Sequence, residues 1–198
     1  VRYIGLIIDA EGVKTNPEKM GAIKHWHILN CIKELQSFLG LCNYYRRFIK
    51  NYAILSEHLN SMTKTDSKFQ WNAEKINSFN KLKDALSSPP VLALPTTDGH
   101  YILDKDASQN SIGAVLSQIQ NGSERVLTYT SKTLTKSQKK YCITRKKLLA
   151  VYVFVLKFKH YLLGHNFMVR TDHEALKWFL KWDSSNMSRF CVWKSELE

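Results

Sequence analysis

The sequence predicts an α/β protein, with a mixed sheet and flanking helices preceded by a small, mainly helical region. In the second half of the chain, three apolar runs separated by turn residues precede a long helical pattern, and a fourth apolar run follows it. In the first half, apolar residues recur mostly at helical spacing. Strands, then a helix, then another strand is an order typical of a sheet with helices packed on it.

The mainly helical region opens with a predicted strand pair. Residues 3–8 and 13–14 are apolar runs, and residues 9–12 between them end in a glycine that suits a hairpin turn. Asn16 is a favourable N-cap and Pro17 a favourable first helical residue. A helix is therefore predicted to begin at Pro17.

Two longer helical patterns follow. Apolar residues keep one helical phase from residue 32 to residue 49, which predicts a single buried helical face. Residues 61–68 are polar and are interpreted as a linker. Residues 76–86 again place apolar side chains at helical spacing, and the Ser-Ser-Pro-Pro sequence at 87–90 ends that helix.

The second half alternates between strands and helices. Asn121 and Gly122 predict a hairpin turn between the second and third strands. A long apolar helix is predicted over residues 135–163, with Gly164 ending it. The predicted strands are residues 101–106, 111–118, 125–131 and 167–171, and a short helix is predicted over residues 173–178.

Composition points to a partner with negative charge. The chain has 29 Lys and Arg against 17 Asp and Glu, a net charge of +12, and residues 99–198 are more basic than residues 1–98. Such a balance favours salt-dependent binding of nucleic acid. The four cysteines form no C-x-x-C pair, no signal peptide is visible, and the longest apolar run, 148–156, is too short to span a bilayer. We expect a soluble, intracellular protein, cytoplasmic or nuclear.

Two aspartates end apolar runs and are candidate metal ligands. Asp106 lies at the end of one predicted strand, and Asp172 follows another. If the two strands are neighbours, their carboxylates converge, and hard divalent cations bind clustered carboxylates. His173 is either a substrate contact or a helix residue without a special role, and Asp104 and Glu174 are either close to the site or solvent-facing.

Several motifs together resemble a known family. The sequences LDKDAS, GAVLSQ, KKLLAV and VRTDHEALKW resemble the ribonuclease H domain of gypsy-type LTR retrotransposon polyproteins. Residues 3–8, 11–13, 16–19 and 33–49 resemble the end of the reverse transcriptase of the same polyprotein. The resemblance implies a ribonuclease H-like mixed sheet preceded by a thumb-like subdomain. It divides the chain into the end of the palm and thumb at 1–60, a connecting segment at 61–98, and a C-terminally truncated ribonuclease H-like domain at 99–198.

The resemblance also implies an activity, the cleavage of the RNA strand of RNA/DNA hybrids with Mg²⁺ or Mn²⁺. The family holds its ions with four carboxylates, and Asp106 and Asp172 stand at the first and third positions. At the second, the family reads about T-E-K-E-L-L-A, whereas this chain has Lys147 in place of the glutamate. The fourth aspartate would lie beyond Glu198. Because two unit charges about 4 Å apart interact by about 4 kcal/mol at an effective dielectric near 20, Lys147 should weaken ion binding and cleavage.

Nucleic-acid contacts are predicted on two basic segments. One combines rings and charge, and the other is a run without acidic residues between positions 132 and 147. Either segment is alternatively a solvated charged face. The candidates are Tyr44, Arg46, Arg47 and Lys50 in the first, and Lys139, Lys140, Arg145 and Lys146 in the second.

Three interpretations of function remain open from the sequence. The first is an active ribonuclease H attached to a polymerase polyprotein, and the second is a non-catalytic hybrid-binding or inert remnant of such an element. The third is a scaffolding role. Polymerase activity is set aside because the family's Tyr-x-Asp-Asp hairpin would precede Val1. A zinc site at His25, His27, Cys31 and Cys42 is disfavoured because the spacing is not that of a standard finger.

Overall fold

The first region of the molecule begins with a small antiparallel sheet. A computed structural model describes residues 1–64 and 67–171. Its first three strands are β1 (Arg2–Tyr3), β2 (Leu6–Asp9) and β3 (Gly12–Thr15), paired in that order. The strand predicted over residues 3–8 is wrong in its middle, because Ile4 and Gly5 form a turn with φ of 45° and 78°. A β-branched residue rarely adopts positive φ, so the sequence gives no warning of this turn.

The helices that follow agree with the predicted pattern. Asn16 caps the first helix by accepting a hydrogen bond from Glu18 N at 3.0 Å, which confirms the predicted start at Pro17. The predicted buried face is confirmed from Leu35 to Ile49 and wrong at Ile32, which is exposed at the start of the helix. The helix itself ends at Tyr44, and a 3-10 turn, Arg46–Phe48, continues the buried face. The helices are α1 (Pro17–Lys24), α2 (Ile32–Tyr44), α3 (Tyr52–Leu55), α4 (Glu57–Met62) and α5 (Ala73–Ser87).

These elements share one aromatic-rich core, and we call residues 1–92 the helical region. Phe38 is fully buried and contacts the rings of Trp26 and Phe79, with centroids 5.5 and 4.7 Å away. Trp71 Nε1 donates to Leu29 O at 2.8 Å, so the stretch before α5 is tied to the same core. Residues 61 and 62 belong to α4, so the polar stretch begins later than predicted. The domain division at residues 60 and 98 stays a prediction.

The second region, residues 93–171, is built on a four-stranded mixed sheet, and we call it the sheet region. Strands β4 to β6 form an antiparallel meander, as predicted, and Asn121 and Gly122 make the hairpin turn with φ of 51° and 77°. β7 pairs with β4 in parallel, giving the order β6-β5-β4-β7. The strands are β4 (Tyr101–Ala107), β5 (Ser111–Gln120), β6 (Ser123–Thr133) and β7 (Phe167–Arg170).

The single long helix predicted over residues 135–163 is wrong, because the chain breaks into α6 (Lys136–Lys139), α7 (Ile143–Lys157) and α8 (Lys159–Leu162). Thr135 and Gln138 close a capping box that suits a short helix. Cys142 is extended, and the Arg145 guanidinium lies 4.4 Å from the centre of the Tyr141 ring across that corner. Gly164, with φ of 78°, follows α8 as predicted.

The sheet is covered on both faces. On one face, Leu103 and Ala107 of β4 pack with Leu149 and Phe154 of α7. On the other, strand β6 contacts α3 and the 3-10 turn of the helical region. This layering follows from the alternation of side chains along each strand. In the part of the chain that the structure describes, no helix is long and apolar enough to cross a membrane.

The two regions are joined along β6, an outer strand of the described sheet. Ala53 N donates to Ser131 Oγ at 2.8 Å, Arg46 Nη2 donates to Ser131 O at 3.2 Å, and Ala93 N donates to Val126 O at 2.7 Å. These bonds satisfy groups that an outer strand would otherwise leave open. The regions therefore pack together, a point that the sequence alone left undecided.

Candidate functional site

Asp106 lies near the end of β4, opposite Gly113 of β5. Its side chain is exposed, and Oδ1 accepts a hydrogen bond from Ala107 N at 2.8 Å. Alternation along the strand places it on the face opposite to Lys105 and Ala107, toward the helical region. Ser108 Oγ accepts from Ser111 N at 3.1 Å, which closes the small-residue turn that follows.

A narrow polar crevice borders Asp106. It has a volume of about 10 Å³ and is lined by residues that include Asn51, Ser111 and Ser131. A void of roughly 10–15 Å³ holds one water molecule. The crevice is therefore no substrate pocket, and Asp106 is open to a ligand only from its solvent side.

Asp172, His173 and Glu174 lie outside the described residues. The parallel pairing of β4 with β7 ends where Asp104 lies opposite Arg170. Asp106 is two residues after Asp104, and Asp172 is two residues after Arg170. One residue earlier, Lys105 Nζ donates to Thr171 Oγ1 at 2.8 Å. The two strands that carry the predicted acids are thus neighbours up to Thr171.

Lys147 lies on the buried side of α7 and is only 8% exposed. It precedes Ala150 and Val151 by one helical turn, and both are buried. Lys146 is 6% exposed, and its Nζ donates to Gln109 O at 3.0 Å, in the loop after β4. The first turn of α7 is therefore held against the loop that follows Asp106.

These residues do not provide the four-carboxylate cage that the family uses. Within residues 1–64 and 67–171, no three His, Cys, Asp or Glu side chains come close enough to hold a metal ion. Of the four predicted cage positions, the described ones are Asp106 and Lys147, one carboxylate and one ammonium. The described part of the chain thus offers a divalent cation one acidic ligand and one like charge.

The zinc candidates also fail to assemble. Cys42 is fully buried, and burial raises the pKa of its thiol to about 12. A thiol that stays protonated at neutral pH is a poor zinc ligand, since zinc takes the thiolate. Cys31 is exposed, and His25 Nδ1 lies 3.1 Å from Gly21 O.

The first predicted nucleic-acid segment is divided by its contacts. Tyr44 is 47% exposed, with its hydroxyl donating to Ile4 O, and Lys50 is exposed. Arg46 instead turns inward to Ser131 O. The Arg47 guanidinium carbon lies 5.9 Å from the centre of the Phe48 ring, and its buried Nε has no hydrogen-bond partner among the described residues. Tyr44 and Lys50 are the members that present an open surface.

The second predicted segment is divided in the same way. Lys139 Nζ lies 3.4 Å from Glu57 Oε1, Arg145 stacks on Tyr141, and Lys146 is buried. Lys140 is exposed. Much of this positive charge therefore ties the sheet region to itself or to α4.

Sequence reasoning missed two charged groups near the predicted site. Arg170 donates to Asp104 Oδ1 at 2.6 Å and to Glu124 Oε2 at 2.9 Å. The carboxylates of Asp104 and Glu124, which accept these hydrogen bonds, raise the pKa of Arg170. Lys105 is 7% exposed within an apolar strand. Lys105 could have been noticed in the sequence, because a lysine within an otherwise apolar strand is unusual. The contacts of Arg170 could not, because they depend on strand pairing that sequence spacing does not reveal.

A mixed four-stranded sheet, with a long helix across one face and an aspartate near the tip of an inner strand, defines the RNase H-like class of α/β folds. A foamy viral protease-reverse transcriptase solved in complex with RNA/DNA hybrid has this fold, with a TM-score of 0.77 and 23% identity over 100% of this chain and 28% of that one. Residues 71–169 match the RNase H-like domain found in reverse transcriptase, and the chain belongs to this family.

The sequence relatives are polyproteins of mobile elements. The chain is 37% identical over 199 residues to the retrovirus-related Pol polyprotein from transposon 297 of Drosophila melanogaster, covering 99% of this chain and 18% of the relative. It is 34% identical over 211 residues to that of transposon gypsy from the same organism, covering 100% and 20%. The chain thus spans about a fifth of the length of these relatives.

Proposed function

We propose that this chain belongs to a gypsy-type element, binds RNA/DNA hybrids, and cleaves their RNA strand weakly or not at all. The match to a Pol polyprotein and the fold shared with a hybrid-bound reverse transcriptase support the ligand. The net charge of +12 supports attraction to phosphate backbones. The same proposal assigns residues 1–60 to the palm end and thumb, 61–98 to a connecting segment, and 99–198 to the nuclease-like domain.

The single observation that carries the weak cleavage is the position of Lys147. Its side chain is 8% exposed on the sheet-facing side of α7, so the ammonium is held inside the molecule and not in open solvent. An ammonium at the second acid position removes one ligand and adds one like charge. At about 4 Å each such charge pair is worth about 4 kcal/mol at an effective dielectric near 20, and the term is larger for a divalent ion.

Asp106 and Asp172 remain the proposed ligands for Mg²⁺ or Mn²⁺. Such ions would activate the attacking water and stabilise the leaving oxygen. The adjacency of β4 and β7 supports their convergence. Since the described cage positions fit a divalent ion poorly, retained affinity for hybrids without turnover is the expected behaviour.

The surface proposed for the hybrid consists of the exposed members of the two basic segments. Tyr44 offers a ring for stacking, and Lys50 and Lys140 offer ammonium groups. The other candidates, Arg46, Arg47, Lys139, Arg145 and Lys146, contact protein groups, so we assign them a smaller share of the binding free energy.

A cleavage and binding assay on the whole chain tests the proposal. An end-labelled RNA/DNA hybrid is incubated in Mg²⁺ and in Mn²⁺ with the parent chain, with Lys147→Glu, and with Lys140→Glu as a control carrying the same charge change at an exposed position. Because Lys140 belongs to the proposed hybrid surface, Lys159→Glu, at an exposed position outside that surface, is run beside it as the charge-matched control. We expect no cleavage by the parent or by either of these variants, and a gain only in Lys147→Glu. Hybrid affinity of the parent should fall steeply as salt rises.

Two outcomes would contradict the proposal. Clear cleavage by the parent chain would show that Lys147 is compatible with catalysis, which favours the active nuclease. Absence of any salt-dependent hybrid binding by a folded parent chain would favour an inert remnant of the element.

A further inference from the structure

A cavity of about 300 Å³ lies where three parts of the molecule meet. Its walls come from the 3-10 turn and helices α3 and α4 of the helical region, from the outer strand β6, and from α7. Asp106 does not line it and borders a different crevice, although Ser131 lines both. This volume is about ten times the share of one water in the liquid, roughly 30 Å³. The cavity therefore has room for a small hydrated ligand.

Three cations line this cavity, one from each part. They are Arg46 of the 3-10 turn, Lys132 of β6 and Lys157 of α7. Among the described residues, no aspartate or glutamate lines it. Its remaining polar wall consists of Ser56, Asn60, Ser131 and Thr133.

Two of the cations, Arg46 and Lys157, are held by hydrogen bonds to the protein. Arg46 Nη2 donates to Ser131 O at 3.2 Å, and Lys157 Nζ donates to Thr130 Oγ1. A guanidinium has five N–H donors and an ammonium has three, so these bonds leave other donors for a ligand. Arg46 and Lys157 are thus positioned at the cavity before any ligand arrives, and Lys132 adds an exposed ammonium at its edge.

Their mutual repulsion is not offset by a nearby acid of the described chain. Lys157 is exposed along part of its length, but partial desolvation of its ammonium, together with the charge of Arg46, lowers its pKa. Glu57 follows the cavity residue Ser56, but its carboxylate contacts Lys139 Nζ at 3.4 Å and Asn110 Nδ2 at 3.3 Å. An anion in the cavity would relieve this repulsion and gain charge-assisted hydrogen bonds.

We propose that the cavity bounded by Arg46, Lys132 and Lys157 is an anion site that takes a phosphate group. An arginine fork and two lysine point charges, with hydroxyl and amide donors beside them, are the groups that recognise phosphate oxygens. The phosphate comes from a nucleic-acid backbone or is free inorganic phosphate. The existence of the site is independent of hybrid cleavage, and only the backbone source rests on the proposed function.

Titration with inorganic phosphate tests the site. Binding is measured by calorimetry on the whole chain, with chloride keeping the ionic strength constant, for the parent, Lys157→Met and Lys132→Met. Lys159→Met is the control, because Lys159 is exposed two residues further on and does not line the cavity. Since each cavity variant loses a charge-assisted hydrogen bond to the ligand, it should bind phosphate at least about tenfold more weakly. The control should match the parent.

A hybrid titration distinguishes the two sources. If a backbone phosphate occupies the cavity, Lys157→Met lowers hybrid affinity relative to Lys159→Met, reduces the salt slope by about one, and free phosphate competes with the hybrid. If free phosphate is the ligand, Lys157→Met and Lys159→Met bind the hybrid equally.

The proposal is overturned if the folded parent does not bind phosphate, or if Lys159→Met weakens phosphate binding as much as the cavity variants do. Thermal unfolding of each variant confirms that it is folded, and Lys132→Met, at an exposed strand position, keeps the test valid if Lys157→Met fails to fold. Hybrid binding that persists without phosphate binding would leave the proposed function intact and remove only this site.

Discussion

The Asp106 end of the sheet and its β6 edge use positive charge in different ways. At the Asp106 end, Lys105 and Lys146 are buried and donate to Thr171 Oγ1 and Gln109 O. At the β6 edge, Arg46 and Lys157 border an open cavity. A count of basic residues treats both places alike. The difference teaches that the location of each ammonium group, more than the net charge of +12, decides where an anion can bind.

The largest effect is expected at the β6 edge, where Ser131→Ala removes the acceptor of the Ala53 N–H. A buried donor left without a partner costs about 1–3 kcal/mol, so the free energy of unfolding should fall by about 2 kcal/mol. Ser117→Ala is the matched control, because Ser117 Oγ is buried without a hydrogen-bond partner in the described structure. Urea denaturation should show little change or a gain for Ser117→Ala. Equal losses in the two variants would mean that the junction does not depend on the Ser131 bond.

At the Asp106 end, Lys146→Met should lower the free energy of unfolding by about 1–2 kcal/mol, because Gln109 O loses a charged donor. Lys140→Met removes the same charge from an exposed position and should be close to neutral. Chemical denaturation of both variants measures the difference. If Lys146→Met instead stabilised the protein, the desolvation of the buried ammonium would cost more free energy than its hydrogen bond to Gln109 O contributes. The positive charge at the Asp106 end would then not have the structural role described above.

A smaller effect is expected for Arg170, whose guanidinium lies between Asp104 and Glu124 on the partly exposed side of the sheet. Arg170→Met leaves two carboxylates facing each other and should cost about 0.5–1 kcal/mol at low ionic strength, less at high salt. Arg2→Met is the control, since its pair with Glu18 is 4.0 Å long and highly exposed. Thermal unfolding at two salt concentrations tests this, and a loss that does not depend on salt would assign the effect to packing.

The smallest effect is a pH dependence at the β6 edge. Desolvation and the charge of Arg46 lower the pKa of Lys157 in the folded chain below its ordinary value of 10.5. Between the lowered pKa of the folded state and the pKa of 10.5 in the unfolded state, Lys157 is protonated in the unfolded chain and largely neutral in the folded one. Stability due to Lys157 is therefore fully present above pH 10.5 and is lost as the pH falls through the lowered folded pKa.

The measurement compares the parent with Lys157→Met. As the pH rises toward 10.5, the free energy of unfolding of the parent should rise relative to that of the variant, while contributions from the tyrosines cancel in the difference. A difference that stays flat or falls with pH would show that Lys157 is not crowded by positive charge.

Local sequence signals predicted much of the fold. Asn16 and Pro17 set the start of α1, and Asn121-Gly122 placed the hairpin between β5 and β6, because these residues act through their own backbone geometry. The positive φ of Ile4 and the break at Cys142 were not predictable in this way. The break at Cys142 is accompanied by the stacking of Arg145 on Tyr141, a contact between side chains of adjoining segments.

The candidate site was predicted only in part for a related reason. Asp106 and Lys147 were found because each occupies a position in a short motif. The β6-edge cavity brings together Arg46 and Lys157, which lie far apart in the sequence and belong to different regions, so no local pattern contains it. Long-range packing created this cavity.

The covered margin of β6 has a consequence for any attempt to study the nuclease-like half by itself. Separated from residues 46–53, the outer strand would present the bare carbonyl and hydroxyl of Ser131 as a template for another copy. The helical region thus covers a strand edge that would otherwise be open to pairing with a second copy of the chain.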